Sequence, residues 1–194
     1  MNSVFIGFLL SFRHPVCDRL FLVQILRDHL TMSSANEAQS LRIAPATIED
    51  LDDLVELVME LFRLEEDFQP DRRKQEHGLR LILEQPNRGR IFVIRSEHKI
   101  IAMVNLLFTI STAEGGMVIL LEDCIVHPDH RGKGLGSRLI KHVCEFAERR
   151  GFLRITLLTD RIVTEAREFF ARHGFTESNM IPMRRIITSE DTLS

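Results

Sequence analysis

From Leu41 onward the apolar positions return with the periods of a folded α/β chain. Leu41-Arg-Ile-Ala44 alternates as a short strand does. Leu51, Leu54, Val55, Val58, Leu61 and Phe62 then recur at helical spacing, behind Thr47 and Asp50, which stand as a weaker relative of the capping box. A second helix is expected over 71–83, stopped by Pro86-Asn-Arg-Gly89. Apolar runs at 91–95, 100–110 and 117–126 read as three strands, and the short turns between them imply an antiparallel meander. Leu135, Leu139, Ile140, Val143 and Ala147 mark one face of a helix that Gly151 ends. The apolar run 155–159 is reached through that helix, so it should lie parallel to 117–126. Ala166, Phe169 and Phe170 mark a last helix ended by Gly174, and Phe175 onward with 183–187 should complete the sheet. The expected order is β-α-α-β-β-β-α-β-α-β-β, an α/β chain with a mixed, mostly antiparallel sheet.

The first forty residues do not share this regularity. An apolar run at 4–10 is far shorter than the ~20 residues that span a bilayer, and it lacks the flanks of a secretory signal. Residues 19–30 suit a short amphipathic helix, and the small, polar stretch 31–40 suits a linker. Met32 is a candidate start of translation. We therefore expect an extension at 1–40, one domain at 41–188 and a tail at 189–194.

Composition narrows the chemistry. The 194 residues carry a net charge of −3, with no argument for nucleic acid or an anionic membrane as partner. All 13 aromatic residues are phenylalanine, which removes tyrosine from the available proton donors. Cys17, Cys124 and Cys144 cannot all pair, as expected of a reduced, cytoplasmic protein. Charge is unevenly placed: 49–71 holds ten acids against Arg63, while 127–154 holds seven bases against three acids. Either run reads as a solvated helix face, or the two mark a cationic and an anionic ligand at separate places.

The most informative stretch is His127-Pro-Asp-His-Arg-Gly-Lys-Gly-Leu-Gly136. Three glycines at alternate positions lead from a strand into a helix, whose first N–H groups and dipole favour an anion, and Arg131 and Lys133 add full charge. A phosphate or pyrophosphate site follows. Spacing excludes a dinucleotide fingerprint, because position 139 is leucine, and a Walker A loop, because 127 and 134 are His and Gly. His127 and His130 have a faint metal look without a third ligand, so no metal is expected.

Arg131-x-x-Gly134-x-Gly136 resembles the acetyl-CoA loop of the GNAT superfamily of N-acetyltransferases, whose pattern is Gln/Arg-x-x-Gly-x-Gly/Ala. The stretch Leu-Glu-Asp-Cys-Ile-Val-His-Pro-Asp-His-Arg at 121–131 is similar to the spermidine/spermine acetyltransferase branch, which also carries Glu-Asp on this strand. Ala166-x-x-Phe169-Phe170-x-x-x-Gly174-Phe175 resembles a further family motif, and the likeness covers roughly 41–187. It implies a sheet splayed between its two parallel strands and acetyl-CoA as co-substrate. The main chain of Ile125 and Val126 would line the pantetheine arm, and Arg131, Gly132, Lys133, Gly134, Leu135, Gly136 and Ser137 would hold the pyrophosphate. Val126 N–H would also polarise the thioester carbonyl.

Glu122 and Asp123 are the candidate proton acceptors, although adjacent strand residues face opposite ways unless a bulge intervenes. Glu65, Glu66 and Asp67 would suit a cationic acceptor, and Phe170 stands beside it where the family has its tyrosine acid; Val163 replaces a frequent family asparagine. The expected activity is direct acetyl transfer to a primary amine of a small molecule or peptide in a ternary complex, in a protein whose assembly as a homodimer is left open. The alternative is an acyl-CoA-binding sensor or interaction module without catalysis.

Overall fold

The computed structural model describes residues 41–64, 69–96, 99–159 and 164–187. The extension, Met32, the helix expected at 19–30, Glu65, Glu66, Asp67, Val163 and the tail lie outside the described residues. Nine regular elements follow in order: β1 (Arg42–Pro45), α1 (Leu51–Phe62), α2 (Arg72–Leu83), β2 (Gly89–Ser96), β3 (Lys99–Ser111), β4 (Gly116–Val126), α3 (Leu135–Arg150), β5 (Ile155–Leu157) and α4 (Thr164–Ala171).

Local chemistry marks several of the helix ends. Asp71 caps α2 by accepting the N–H groups of Arg73 and Lys74 at 3.1 and 3.3 Å. Gly151 closes α3 at φ 71°, and Phe152 N–H folds back to Ala147 O at 2.9 Å. Ahead of α1, Thr47 N–H donates to Asp50 Oδ2 at 2.7 Å. The same carboxylate receives the Arg95 guanidinium from β2, Nη1 to Oδ1 at 2.6 Å and Nη2 to Oδ2 at 2.5 Å. This fork fixes the start of α1 to the sheet. Burial works to raise the Asp50 pKa, but the hydrogen bonds from Arg95 and Thr47 outweigh it and hold the carboxyl below its usual range.

Replacing Asp50 by Asn leaves a half-buried guanidinium without its counter-charge, and should lower stability by about 2 kcal/mol once solvent screening is allowed for. Because the folded pKa is depressed, this stabilisation is present above the unfolded value near 3.9 and disappears as pH falls through the folded one. The gap in melting temperature between wild type and Asp50→Asn is expected to be full at neutral pH, to narrow below about pH 4 and then to close. Thermal melts across that range check it.

The strands run in the order β1-β2-β3-β4-β5; the first four are antiparallel and β5 is parallel to β4. One face packs Phe92, Ile94, Val104, Leu106, Ile119 and Leu121 against Leu135, Leu139, Ile140 and Val143 of α3. The other packs Ile91, Val93, Met103 and Ile125 against Leu54, Val55 and Val58 of α1 and Leu79 of α2. The result is a three-layer α/β/α arrangement with the core split by the sheet.

Two strands expected from sequence are not formed. Residues 175–187 carry no strand, and Met183, Ile186 and Ile187 are 94, 77 and 66% exposed. Pro182 lacks a ladder donor, and Arg184 beside Arg185 puts a charge on each face of any strand built there. Phe175 nevertheless docks, its ring 5.6 Å from that of Phe170. The strand expected at 155–159 stops at Leu157.

Candidate functional site

The register of β3 against β4 shifts once. Val104 faces Cys124 and Leu106 faces Leu121, so Asn105 alone opposes both Glu122 and Asp123. This is a β-bulge with the extra residue in β4. Leu121 and Ile119 point to α3 before it, while Cys124 and Val126 pack on that face after it. Glu122 and Asp123 therefore share the opposite face, that of α1 and α2, which regular alternation forbids. Asn105 Nδ2 donates to Asp123 Oδ2 at 3.0 Å on the same side.

Burial raises the pKa of Asp123, partly countered by the Asn105 amide. Burial likewise raises that of Glu122, as does the neighbouring Asp123 charge, with Arg184 working the other way. A carboxylate with a raised pKa is a better proton acceptor near neutral pH.

Just beyond the bulge, β4 and β5 part. The last pair in their ladder is Leu121 with Leu157, yet β4 runs on to Val126. His127 N–H donates to Ile101 O at 2.9 Å. By two-residue alternation Ile125 turns its main chain to β3, whereas Cys124 and Val126 turn theirs to the open edge. Ile125, expected beside Val126 on the cofactor side, is thus directed away, and its side chain is buried under α1. Val126 O accepts from Arg131 Nε at 3.0 Å. Cys124 is packing rather than chemistry: burial, with the Asp123 charge, pushes its thiol up to about 12.

The loop that follows opens with a single turn of 3-10 helix, Pro128–His130, in which His127 Nδ1 accepts Asp129 N–H at 3.3 Å. Gly132 and Gly134 have φ of 74° and 73° with open space where a Cβ would stand, so backbone conformation, not crowding, calls for glycine there. Gly134 is the N-cap of α3 and has no side chain to cap it. The first helical bond is Arg138 N–H to Gly134 O at 3.1 Å, which leaves the N–H groups of Leu135, Gly136 and Ser137 without helical acceptors. Arg131 and Lys133 stand exposed beside them. Leu135 itself is a core residue, so any part it takes in binding is through its main chain.

At Gly136 the reason for glycine is space. A Cβ there would lie 3.2 Å from the Phe169 ring and 3.9 Å from a Val126 methyl. Phe169 is therefore the aromatic over the loop. Phe170, expected at the acceptor, packs between Phe169 and Phe175 with ring centroids 5.1 and 5.6 Å away. Asn105 is a site residue that the sequence reading misses, although it is the lone polar residue in the run 100–108, and Phe169 enters that reading only as a helix and motif residue. An open cavity of about 380 Å³ lies on the α1 face, between Asp53, Glu56 and Glu60, the start of β3, and His127 to Asp129. Among the described residues, no cluster of His, Cys, Asp or Glu is arranged to hold a metal. No helix there is long and apolar enough to cross a membrane.

Residues 51–175 match the family model described as the Acetyltransferase (GNAT) family. The chain is 28% identical over 151 residues to an uncharacterized N-acetyltransferase of Methanocaldococcus jannaschii, covering 77% of this chain and 67% of that one. It is 27% identical over 134 residues to the aminoalkylphosphonate N-acetyltransferase of Salmonella typhimurium, covering 69% and 84%. In fold it is similar to the crystal structure of a possible acetyltransferase from Clostridium difficile, with TM-score 0.70, 16% identity and coverage of 76% and 98%.

Proposed function

The chain belongs to the Acetyltransferase (GNAT) family and is an acyltransferase, and from that premise we propose that it transfers an acetyl group from acetyl-CoA to a primary amine by direct attack in a ternary complex. The observation that carries this reading is the open edge of β4 leading straight into an uncapped helix N-terminus flanked by Arg131 and Lys133. The donors fit the co-substrate. The N–H groups from Gly132 to Ser137 and the two cations hold a pyrophosphate, and Val126 N–H, on the open edge, meets the thioester carbonyl.

An alkylamine of pKa ~10.4 is only about 0.1% neutral near pH 7.4, so attack requires a proton acceptor. Glu122 is that acceptor, with Asp123 as the reserve. Glu122 takes one proton from the ammonium; the freed amine nitrogen then bonds to the acetyl carbon, the carbon–sulfur bond breaks, and the second nitrogen proton passes to solvent. The departing thiolate, of pKa ~8.5, takes its proton from solvent, so Phe170 in place of a tyrosine does not stop the reaction.

Residues 41–188 form the catalytic domain on this reading. Glu65, Glu66 and Asp67, beyond the acidic α1, favour a cationic acceptor, a small amine or a lysine-like side chain of a peptide. The Glu-Asp pair at 122–123 supports the spermidine/spermine-like branch. The relative that acts on aminoalkylphosphonate, a small amine, is in keeping with this class. Cys124 and Cys144, both free thiols among the described residues, favour a cytoplasmic setting.

One observation favours the second reading, an acyl-CoA sensor: Phe170 lies in a phenylalanine cluster and supplies no acid. Thiol release from acetyl-CoA, followed over a panel of polyamines, aminoglycosides, aminoalkylphosphonates and lysine peptides, separates the two. Acceptor-dependent release with acetylated product is expected. Tight CoA binding with no release on any member of the panel would replace the enzyme by the sensor.

A further inference from the structure

Asn105 stands at the floor of the bulge, 4% exposed, in a strand whose other inward residues are apolar. Its Nδ2 donates to Asp123 Oδ2 at 3.0 Å. Its Oδ1 is buried and has no hydrogen-bond partner among the described residues. A carboxylate only accepts, so the amide must turn its nitrogen to Asp123 and its oxygen into the apolar floor. For packing alone this is a poor choice, because a buried acceptor without a donor is destabilising and an aliphatic side chain would fill the same space. Local rules broken without compensation in stability point to a function.

We propose that Asn105 is a positioning residue for acetyl transfer, holding Asp123 ionised and fixed on the bulge so that the two-carboxylate site stays negatively charged when the amine arrives. This deepens the reading of the site as an amine acetyltransferase and rests on it. The two acids are adjacent and share a face, and the Asp123 charge works to raise the Glu122 pKa. With Asp123 held ionised, its charge keeps Glu122 a strong proton acceptor; with Asp123 protonated, that support is gone.

The other groups that bear on the pair are few. Arg184, from the chain after α4, acts on Glu122. Cys124 is neutral because of its burial. The acids of α1 are engaged elsewhere: Asp53 accepts Ile100 N–H at 3.4 Å, Asp52 and Glu56 pair with Arg72, and Glu60 pairs with Arg63. On α2, Glu76 pairs with Arg80.

Asn105→Leu keeps the bulk and removes the donor. Without that hydrogen bond Asp123 takes up a proton more readily, so the acid limb of kcat should move to higher pH. The rate on the amine should fall about ten- to a hundredfold at neutral pH, with KM for acetyl-CoA unchanged. A carbon-13 titration of the Asp123 carboxyl in wild type and variant gives a second readout that needs no turnover, and its midpoint should rise. If the leucine variant does not fold, Asn105→Ala serves for both measurements. A residue of merely structural importance would lower activity in step with melting temperature and leave the limb and the midpoint where they are; that result overturns the proposal. The two ideas fail separately. Absence of acetylated amine with the wild-type protein removes the amine-acetylation reading, whereas an unmoved Asp123 midpoint removes the role of Asn105 alone.

Discussion

Gly134→Asp is expected to bring CoA binding below detection by calorimetry while the protein remains folded. Open space surrounds the position, so the new side chain meets no steric obstacle, and aspartate is among the residues that tolerate a left-handed conformation. What changes is the electrostatics. The carboxylate stands at the N-cap of α3 and accepts the N–H groups that would otherwise hold the anion. It also sets a negative charge about 4 Å from the phosphate, a repulsion of about 4 kcal/mol at an effective dielectric near 20, or roughly a thousandfold in affinity. Gly134→Ala isolates the backbone component: it carries conformational strain but leaves the N–H groups exposed, so weaker binding should persist. Unchanged affinity in a folded Gly134→Asp protein would remove the pyrophosphate from this loop.

Glu122→Gln is the second large effect. It keeps the shape of the side chain and abolishes its capacity to take a proton, so kcat should fall about a hundred- to a thousandfold. KM for acetyl-CoA should stay within about twofold, because the co-substrate is held through the loop and the edge of β4. Burial and the Asp123 charge raise the Glu122 pKa, and the wild-type rate should climb with pH as that carboxyl ionises. The climb should vanish in the variant. If Asp123→Asn instead carries the loss and Glu122→Gln is mild, the two acids exchange their roles.

Local signals made much of this molecule readable before its structure. Gly134 and Gly151 bracket α3, and apolar spacing marks the face it buries. Asp71 announces α2, and the tight turns announce the meander. Features that depend on two strands at once were not readable. A bulge is a mismatch of register, and nothing in Leu-Glu-Asp-Cys at 121–124 tells whether the strand slips there; the partner Asn105 lies 18 residues away. The same ignorance of register misdirected the expectation for Ile125. Phe169 and Phe170 were indistinguishable as letters, and only the approach of α4 to Gly136 decides which ring covers the loop. The strands expected after Gly174 failed for a different reason: apolar content was counted while Pro182 and the adjacent arginines were not.

The bulge also bears on how such a site can come into being. It amounts to one inserted residue, since the side chains before Glu122 and after Asp123 resume a common alternation once one acid is left out. A strand shorter by that residue would still place Leu121, Cys124 and Val126 against α3 and lead into the same loop. It would present a single acid, and it would lack the added bend that a bulge gives its strand at the point where β4 leaves β5. Deleting one codon would thus remove the second carboxylate and the bend together.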